Sequence, residues 1–96
     1  MYNWSMIKIV GNDITSGGQK LGWFEGNHIL DRTGRTLGYF ADNDIYDASG
    51  QKIAYIEDER VRTMVGQEIR LSEIRKDVKG GQDDIAIAAV RLLLGE

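Results

Sequence analysis

Apolar and polar positions along this 96-residue chain recur with a period of 16. Residues 19–34, 35–50 and 51–66 align without gaps. Each contains a polar pair, Leu or Ile, a small residue, an aromatic residue, Phe or Ile, turn-forming residues, a β-branched residue and a closing Gly. The matched columns are Leu21, Leu37 and Ile53; Trp23, Tyr39 and Tyr55; Phe24, Phe40 and Ile56; Ile29, Ile45 and Val61; and Gly34, Gly50 and Gly66. So many matched columns in consecutive windows indicate an internal repeat.

Two weaker copies flank the three regular ones. Residues 3–18 keep Ile9 and Ile14 in the matching columns, and residues 67–82 keep Ile69. Degenerate end copies are typical of repeat arrays, because a terminal unit has a neighbour on one side only. We therefore expect the whole chain, residues 1–96, to form a single domain of about four pseudo-symmetric repeats with a degenerate fifth.

Each repeat predicts a β-hairpin. Branched and aromatic residues fill its two halves, and pairs such as Gly26-Asn27 between them tolerate the positive φ of a two-residue hairpin turn. Placing the turn at that point pairs apolar residues across every hairpin, which supports the register. The predicted pairs are Ile9 with Ile14, Phe24 with Ile29, Phe40 with Ile45, and Ile56 with Val61.

The connections between hairpins have their own signature. Segments 31–34 and 47–50 both begin with Asp and end with Gly. An Asp carboxylate accepts nearby backbone N–H groups in such turns. Glycine adopts the left-handed backbone conformation without a steric penalty. We predict left-handed geometry at Gly34 and Gly50.

Strict alternation along a strand assigns the columns to two faces of the sheet. Phe24, Phe40 and Ile56 occupy one face, whereas the columns of Leu21 and Trp23 occupy the other. Both faces are therefore partly apolar, and a further element is expected to cover the second one.

The C-terminal segment predicts this cover. Gly80-Gly81 ends the strand pattern, Gln82–Asp84 supplies an N-cap with acidic residues, and IAIAAVRLLL follows. A helix that is apolar nearly all round is normally buried. We expect a helix over residues 83–95 that packs on the Leu21 and Trp23 side of the array or against a second chain. The predicted fold class is mainly β, with tandem 16-residue β-hairpin repeats and one C-terminal apolar α-helix.

The stretches LGWFEGNHILDRTG, LGYFADNDIYDASG and IAYIEDERVRTMVG, followed by DDIAIAAVRLLL, resemble bacterial proteins that contain the 4-fold β-flower domain. The resemblance covers nearly the whole chain. It implies hairpin petals around a pseudo-fourfold axis, in a family whose function is not established. The chain departs from the family pattern at Ala54, which replaces Gly, at Thr63, which replaces Asp, and over residues 67–82.

Composition and charge narrow the classes of function. The chain contains no Cys, which excludes disulfides, thiolate catalysis and Cys-ligated metals. Its net charge of −3 argues against a dedicated binder of nucleic acid or anionic membranes. The longest nearly apolar run, Ile85–Leu94, is far shorter than the roughly 20 residues that cross a bilayer, and the N-terminus lacks a secretory pattern. We expect a cytoplasmic protein without nucleic-acid or membrane partners.

Candidate catalytic and metal-binding residues are few. His28 is the only histidine, and its position indicates a solvated residue beside a hairpin turn. The acids of segments 42–47 and 57–59 recur at turn positions and lack the spacing of an EF-hand loop. The serines are not placed in a G-x-S-x-G elbow. We therefore expect no enzymatic activity, no metal and no cofactor.

The candidate binding site is the aromatic row, formed by Trp23, Tyr39 and Tyr55. An exposed row suits a partner or an apolar ligand. A buried row would be part of the repeat core. Burial is favoured because the apolar C-terminal helix needs an apolar surface to pack on. The sequence predicts a non-catalytic protein-interaction or self-associating module that uses this row or the C-terminal helix. The alternative is a domain that binds a small, sugar-like molecule stacked on Trp23 and Tyr39.

Overall fold

The structure is a computed structural model that describes residues 7–80 and 83–94. The described strands are β1 (Ile7–Val10), β2 (Asp13–Ser16), β3 (Gln19–Glu25), β4 (His28–Asp31), β5 (Thr36–Ala41), β6 (Asp44–Asp47), β7 (Lys52–Glu57), β8 (Arg60–Thr63), β9 (Glu68–Arg70) and β10 (Val78–Lys79). The described helices are α1 (Leu71–Asp77) and α2 (Asp84–Leu94). All ten of these strands belong to one sheet, in the order β10-β1-β2-β3-β4-β5-β6-β7-β8-β9.

Four consecutive hairpins make up most of the sheet, and their registers confirm the repeat. Phe24 on β3 lies opposite Ile29 on β4, with a two-residue turn between the strands. The other three predicted apolar pairs lie opposite each other in the same way. The β-branched partner is fully buried in every hairpin: Ile14, Ile29, Ile45 and Val61. Local turn chemistry and apolar cross-strand pairing therefore set the same register four times.

Each hairpin turn is hydrogen-bonded to the repeat unit that follows it. The Phe40 N–H donates to the Asn27 carbonyl oxygen (3.1 Å), and Asn27 Nδ2 donates to the Phe40 carbonyl oxygen (2.7 Å). The same backbone bond joins Phe24 to Asn12, Ile56 to Asn43, and Leu71 to Glu59. These bonds satisfy turn carbonyls and hold neighbouring hairpins side by side.

The connections between hairpins have the predicted geometry. Asp31 Oδ1 accepts hydrogen bonds from the Thr33 N–H (2.9 Å) and the Thr33 hydroxyl (2.6 Å), and Asp47 makes the equivalent bonds one repeat later. Both turns close on glycine in the left-handed region, with φ of 92° at Gly34 and 91° at Gly50. The predicted role of these two glycines is confirmed.

The leucine column does not follow strict alternation. Between β4 and β5 the register shifts by one residue, and Leu37 is the extra residue on β5. Such a bulge re-aims a side chain, and Leu37 packs against the core, whereas Tyr39 lies on the opposite, outer face. The same shift accompanies Leu21 on β3 and Ile53 on β7. The prediction that the leucine and aromatic columns share one face is therefore wrong.

The degenerate fifth copy contains a helix. After β9 pairs with β8, the chain forms α1 and then β10, which runs parallel to β1 at the other end of the sheet. Helix α1 thus links the two end strands of the sheet. Leu71, Ile74 and Val78 are buried at helical spacing, a signal that the 16-residue alignment concealed.

Helix α2 spans Asp84–Leu94 and lies in the core, as its apolar composition predicts. Its central residues, 86–90, are all buried. Leu93 contacts β5 at Gly38, which shares a strand face with Phe40, so α2 covers the phenylalanine face. The predicted seat on the Trp23 side is wrong, because the missing side chain at Gly38 makes room for the helix on the opposite face.

The two helices are also joined at their surface. Arg75 on α1 and Asp84 on α2 form a bidentate ion pair, with Nη2–Oδ2 at 2.7 Å and Nε–Oδ1 at 3.2 Å. Hydrogen bonding to the Asp84 carboxylate raises the pKa of Arg75. Gly81, Gln82 and Gly95, which belong to the predicted cap and helix ends, lie outside the described residues. Neither α1 nor α2 is long enough to span a membrane.

Candidate functional site

The aromatic row lies on the outer face of the sheet, opposite α2. Trp23, Tyr39 and Tyr55 are each half-buried and stand on β3, β5 and β7. The sequence predicts that the aromatic row is buried beneath the C-terminal helix. This prediction is wrong, because α2 lies on the other face of the sheet. The row is consequently accessible along the sheet.

Two of the three rings reach the glycine that closes their own repeat. A Cβ placed on Gly34 would lie 3.7 Å from Trp23 Cη2, and one placed on Gly50 would lie 3.3 Å from Tyr39 Oη. The inter-hairpin turns therefore support the rings from one end. This contact helps to explain the partial burial of side chains that no helix covers.

Trp23 and Tyr55 each belong to a small charged cluster. Lys20 Nζ lies 3.2 Å from Asp13 Oδ1 and 4.8 Å from the centre of the Trp23 ring, which combines an ion pair with a cation–π contact. The arrangement recurs two strand pairs later, with distances of 3.1 Å and 5.0 Å, and is formed by Lys52, Asp44 and Tyr55. Partly exposed contacts of this kind each contribute about 1 kcal/mol or less.

Between these two clusters, the middle copy of the repeat lacks the Lys–Asp pair. His28 and Thr36 occupy the columns that hold Asp and Lys in the flanking copies. The ring centres of His28 and Tyr39 are 5.2 Å apart, and those of Tyr39 and Tyr46 are 4.8 Å apart with planes inclined by only 13°. We call His28, Tyr39 and Tyr46 the aromatic centre. It replaces an ion pair by stacked rings in the middle of the outer face.

Sequence reasoning missed Tyr46 as part of this site. Its column holds Leu30 in the preceding repeat and Arg62 in the following one, so no aromatic repeat was visible. The available signal was its predicted register, which places Tyr46 directly opposite Tyr39. His28 is exposed at the end of β4, as expected, but its ring also contacts Tyr39.

The acids singled out by sequence have structural roles. Asp47 organises an inter-hairpin turn, and Asp44 pairs with Lys52. Asp42, Asp58 and Glu59 lie at left-handed positions of hairpin turns. Within residues 7–80 and 83–94, no group of three or more His, Asp or Glu side chains is arranged to hold a metal ion.

Comparison with known proteins identifies a family. The family model described as 5-fold beta-flower protein matches residues 3–87. Five is one more than the fourfold resemblance implied, and it agrees with four hairpins plus the unit formed by β9, α1 and β10. No curated protein and no solved structure matches the chain.

Proposed function

This chain belongs to the 5-fold β-flower family, and we propose that it is a non-catalytic protein-interaction module that binds a partner protein through the outer face of its sheet. The observation that carries the proposal is the uncovered aromatic row. Helix α2 covers the opposite face, whereas the side chains of Trp23, Tyr39 and Tyr55 are only partly buried.

The distribution of chemistry over the outer face supports protein recognition. The aromatic centre is flanked by the Lys20–Asp13 pair on one side and by the Lys52–Asp44 pair on the other. Binding energy at protein interfaces concentrates on central aromatic residues surrounded by a polar rim. Across strands β2 to β7 the outer face has the same arrangement, with an aromatic centre between two Lys–Asp pairs.

The rings are also held in place before any partner arrives. Tyr39 lies between the rings of His28 and Tyr46, and its hydroxyl reaches the turn at Gly50. Side chains that are already ordered lose little conformational freedom on binding, which improves affinity for a given contact area. The aromatic centre is therefore the expected energetic centre of the interface.

The same stacking makes the sugar-binding alternative less favourable. Both faces of the Tyr39 ring are occupied, by His28 on β4 and by Tyr46 on β6. Lys20 lies over the ring of Trp23. A sugar that stacked on these rings would have to displace one of those neighbours, whereas a protein partner can contact the ring edges and hydroxyl groups as they stand.

The test compares capture of a partner by three forms of the full chain. Immobilised wild-type protein is incubated with bacterial lysate beside Tyr39→Ser/Tyr46→Ser and the control Met64→Ala/Val65→Ser, which changes apolar surface elsewhere. We expect one protein to bind the wild type and the control, and to be lost with the tyrosine variant. Calorimetry with that purified protein should show at least about 30-fold weaker binding for Tyr39→Ala. Equal capture by all three forms, or no capture by any, would contradict the proposal.

A further inference from the structure

A second apolar surface lies beside the last inter-hairpin turn. Met64 and Val65 in this turn, together with Ile53 on β7 and Leu92 on α2, line most of an open groove of about 340 Å³. We call these four residues the groove. Val65 is 85% exposed and Met64 is 57% exposed, which makes them two of the three exposed large hydrophobic residues in the described part of the chain.

The turn itself does not require apolar residues at these positions. The matching positions hold Arg32-Thr33 and Ala48-Ser49 in the two preceding repeats. Thr63 Oγ1 accepts the Gln67 N–H (3.0 Å), which reproduces a bond made by Asp in the other turns. The internal repeat therefore serves as a comparison, because the two matching turns form with polar or small residues at these positions.

We propose that the groove is a self-complementary interface, in which the Val65 side chain of each of two copies enters the groove of the other. The protruding turn and the groove lie side by side on one chain. When a two-fold axis relates two copies, the turn of each copy can therefore fill the groove of the other. Among the described residues, the one charged side chain that lines the groove is Lys52, whose ammonium is paired with Asp44. Self-association at this surface therefore brings no unpaired like charges together, although the whole chain carries a net charge of −3.

The area indicates a weak dimer. At about 100 Å² for each fully exposed side chain, the four residues of the groove present roughly 200 Å² of apolar surface per copy. With the usual polar share, two copies would bury about 700 Å² in total, below the roughly 1,200–2,000 Å² of stable interfaces and within the range of weak, transient contacts. We expect a concentration-dependent dimer with a dissociation constant on the order of 100 µM.

Such a dimer would extend the proposed function without depending on it. The groove lies at the turn of residues 63–66, whereas the aromatic centre lies on the outer face of β4 to β6. Two joined copies present two aromatic centres, and neither centre includes a groove residue.

Sedimentation equilibrium of the full chain between about 10 µM and 1 mM tests the proposal. The wild type should pass from monomer to dimer mass over this range. Met64→Ala/Val65→Ser, which reproduces the Ala48-Ser49 turn, should weaken association at least tenfold with an unchanged melting temperature. Val65→Asp should do the same and serves as the second variant. Tyr39→Ser/Tyr46→Ser should associate like the wild type, which separates this surface from the proposed partner site.

Three results would overturn the inference. A wild type that remains monomeric at 1 mM would reject the groove as an interface between two copies. Undiminished association of both groove variants would place the contact elsewhere on the molecule. Weakening by the tyrosine variant alone would also reject the groove and transfer self-association to the aromatic row.

Discussion

Leu93 of α2 occupies the space that a side chain on Gly38 of β5 would need. A Cβ on Gly38 would lie 2.9 Å from Leu93 Cδ1 and would also collide with the backbone carbonyl of Tyr46. Gly38 belongs to the small-residue column of the repeat, which also contains Gly22 and Ala54. At Gly38 the missing side chain allows close approach of both the helix and the neighbouring strand. The position of Leu93 depends on the missing side chain at Gly38.

Gly38→Ala should therefore lower the free energy of unfolding by about 1–3 kcal/mol through overpacking. Ala54 holds the matching position in the next repeat and is fully buried, so Ala54→Gly is the matched comparison and should cost about 1 kcal/mol or less. Urea unfolding measures both. Combining Gly38→Ala with Leu93→Ala should recover only part of the loss, since the collision with the Tyr46 carbonyl persists. Equal stability of wild type and Gly38→Ala would show that the helix seat is looser than described.

Gly50→Val should cost about 1–3 kcal/mol, because φ of 91° is a sterically unfavourable conformation for a β-branched residue. Gly50→Asn is the control and should cost less, since Asn tolerates the left-handed region better. Thermal melting of both variants distinguishes a backbone requirement from a general intolerance of side chains. A loss for Gly50→Asn as large as that for Gly50→Val would contradict the backbone explanation.

Acid should destabilise the protein through Asp31 and Asp47. The Thr33 hydroxyl first, and then the Arg35 N–H, lower the pKa of the Asp31 carboxyl, and Ser49 and Gln51 do the same for Asp47. Because the folded-state pKa lies below the ordinary value of 3.8, the stabilisation is present above that value. It disappears as the pH falls through the lower, folded-state value.

Melting temperatures between pH 7 and pH 2 test this pH dependence. Asp31→Asn/Asp47→Asn should be less stable than the wild type at neutral pH and should lose less stability on acidification. The turn at Thr63 supplies an internal reference, because its capping hydroxyl has no charge in this range. Parallel acid profiles for the variant and the wild type would show that other carboxylates govern the transition.

Ile87→Ala should destabilise the protein by about 2–4 kcal/mol. Ile87 is only 5% exposed and lies in the core with the hairpin residues, so its truncation leaves a cavity. Ile85→Ala is the control, since Ile85 is half-buried at the start of α2 and should cost about half as much or less. Truncation after Lys79 removes the whole helix and should abolish the cooperative melt. A shortened chain that melts like the full one would make α2 an appendage of the sheet.

The strand registers and turns could be predicted because their causes lie close together in the sequence. Two-residue turns at pairs such as Gly26-Asn27 force Phe24 opposite Ile29, and the even period repeats the same pattern in the next unit. Asp31 and Gly34 similarly organise a turn within four residues. Helix α2 was also predictable over its described length from its apolar run alone.

The candidate site was only partly predictable. Its row of Trp23, Tyr39 and Tyr55 follows from the repeat, whereas the stack of Tyr39 between His28 and Tyr46 depends on rotamers and on departures of single copies from the pattern. A repeat alignment shows the columns that the copies share. The stack of Tyr39 with His28 and Tyr46 arises where single copies depart from those columns, so the alignment does not reveal it.

The sequence by itself determined the period, the hairpin pairs, the glycine-closed turns and the helix, since each depends on local backbone chemistry or side-chain spacing. Only the tertiary structure decided which sheet face the helix covers. Both faces carry apolar residues and α2 is apolar nearly all round, so neither partner has a local preference for orientation. The decision came from packing: bulges at Leu21, Leu37 and Ile53 turn a second apolar column toward the phenylalanine face, and Gly38 leaves room there for Leu93. The phenylalanine face, with the leucine column turned toward it, buries more apolar surface around α2 than the opposite face would. The aromatic row therefore lies on the opposite face of the sheet.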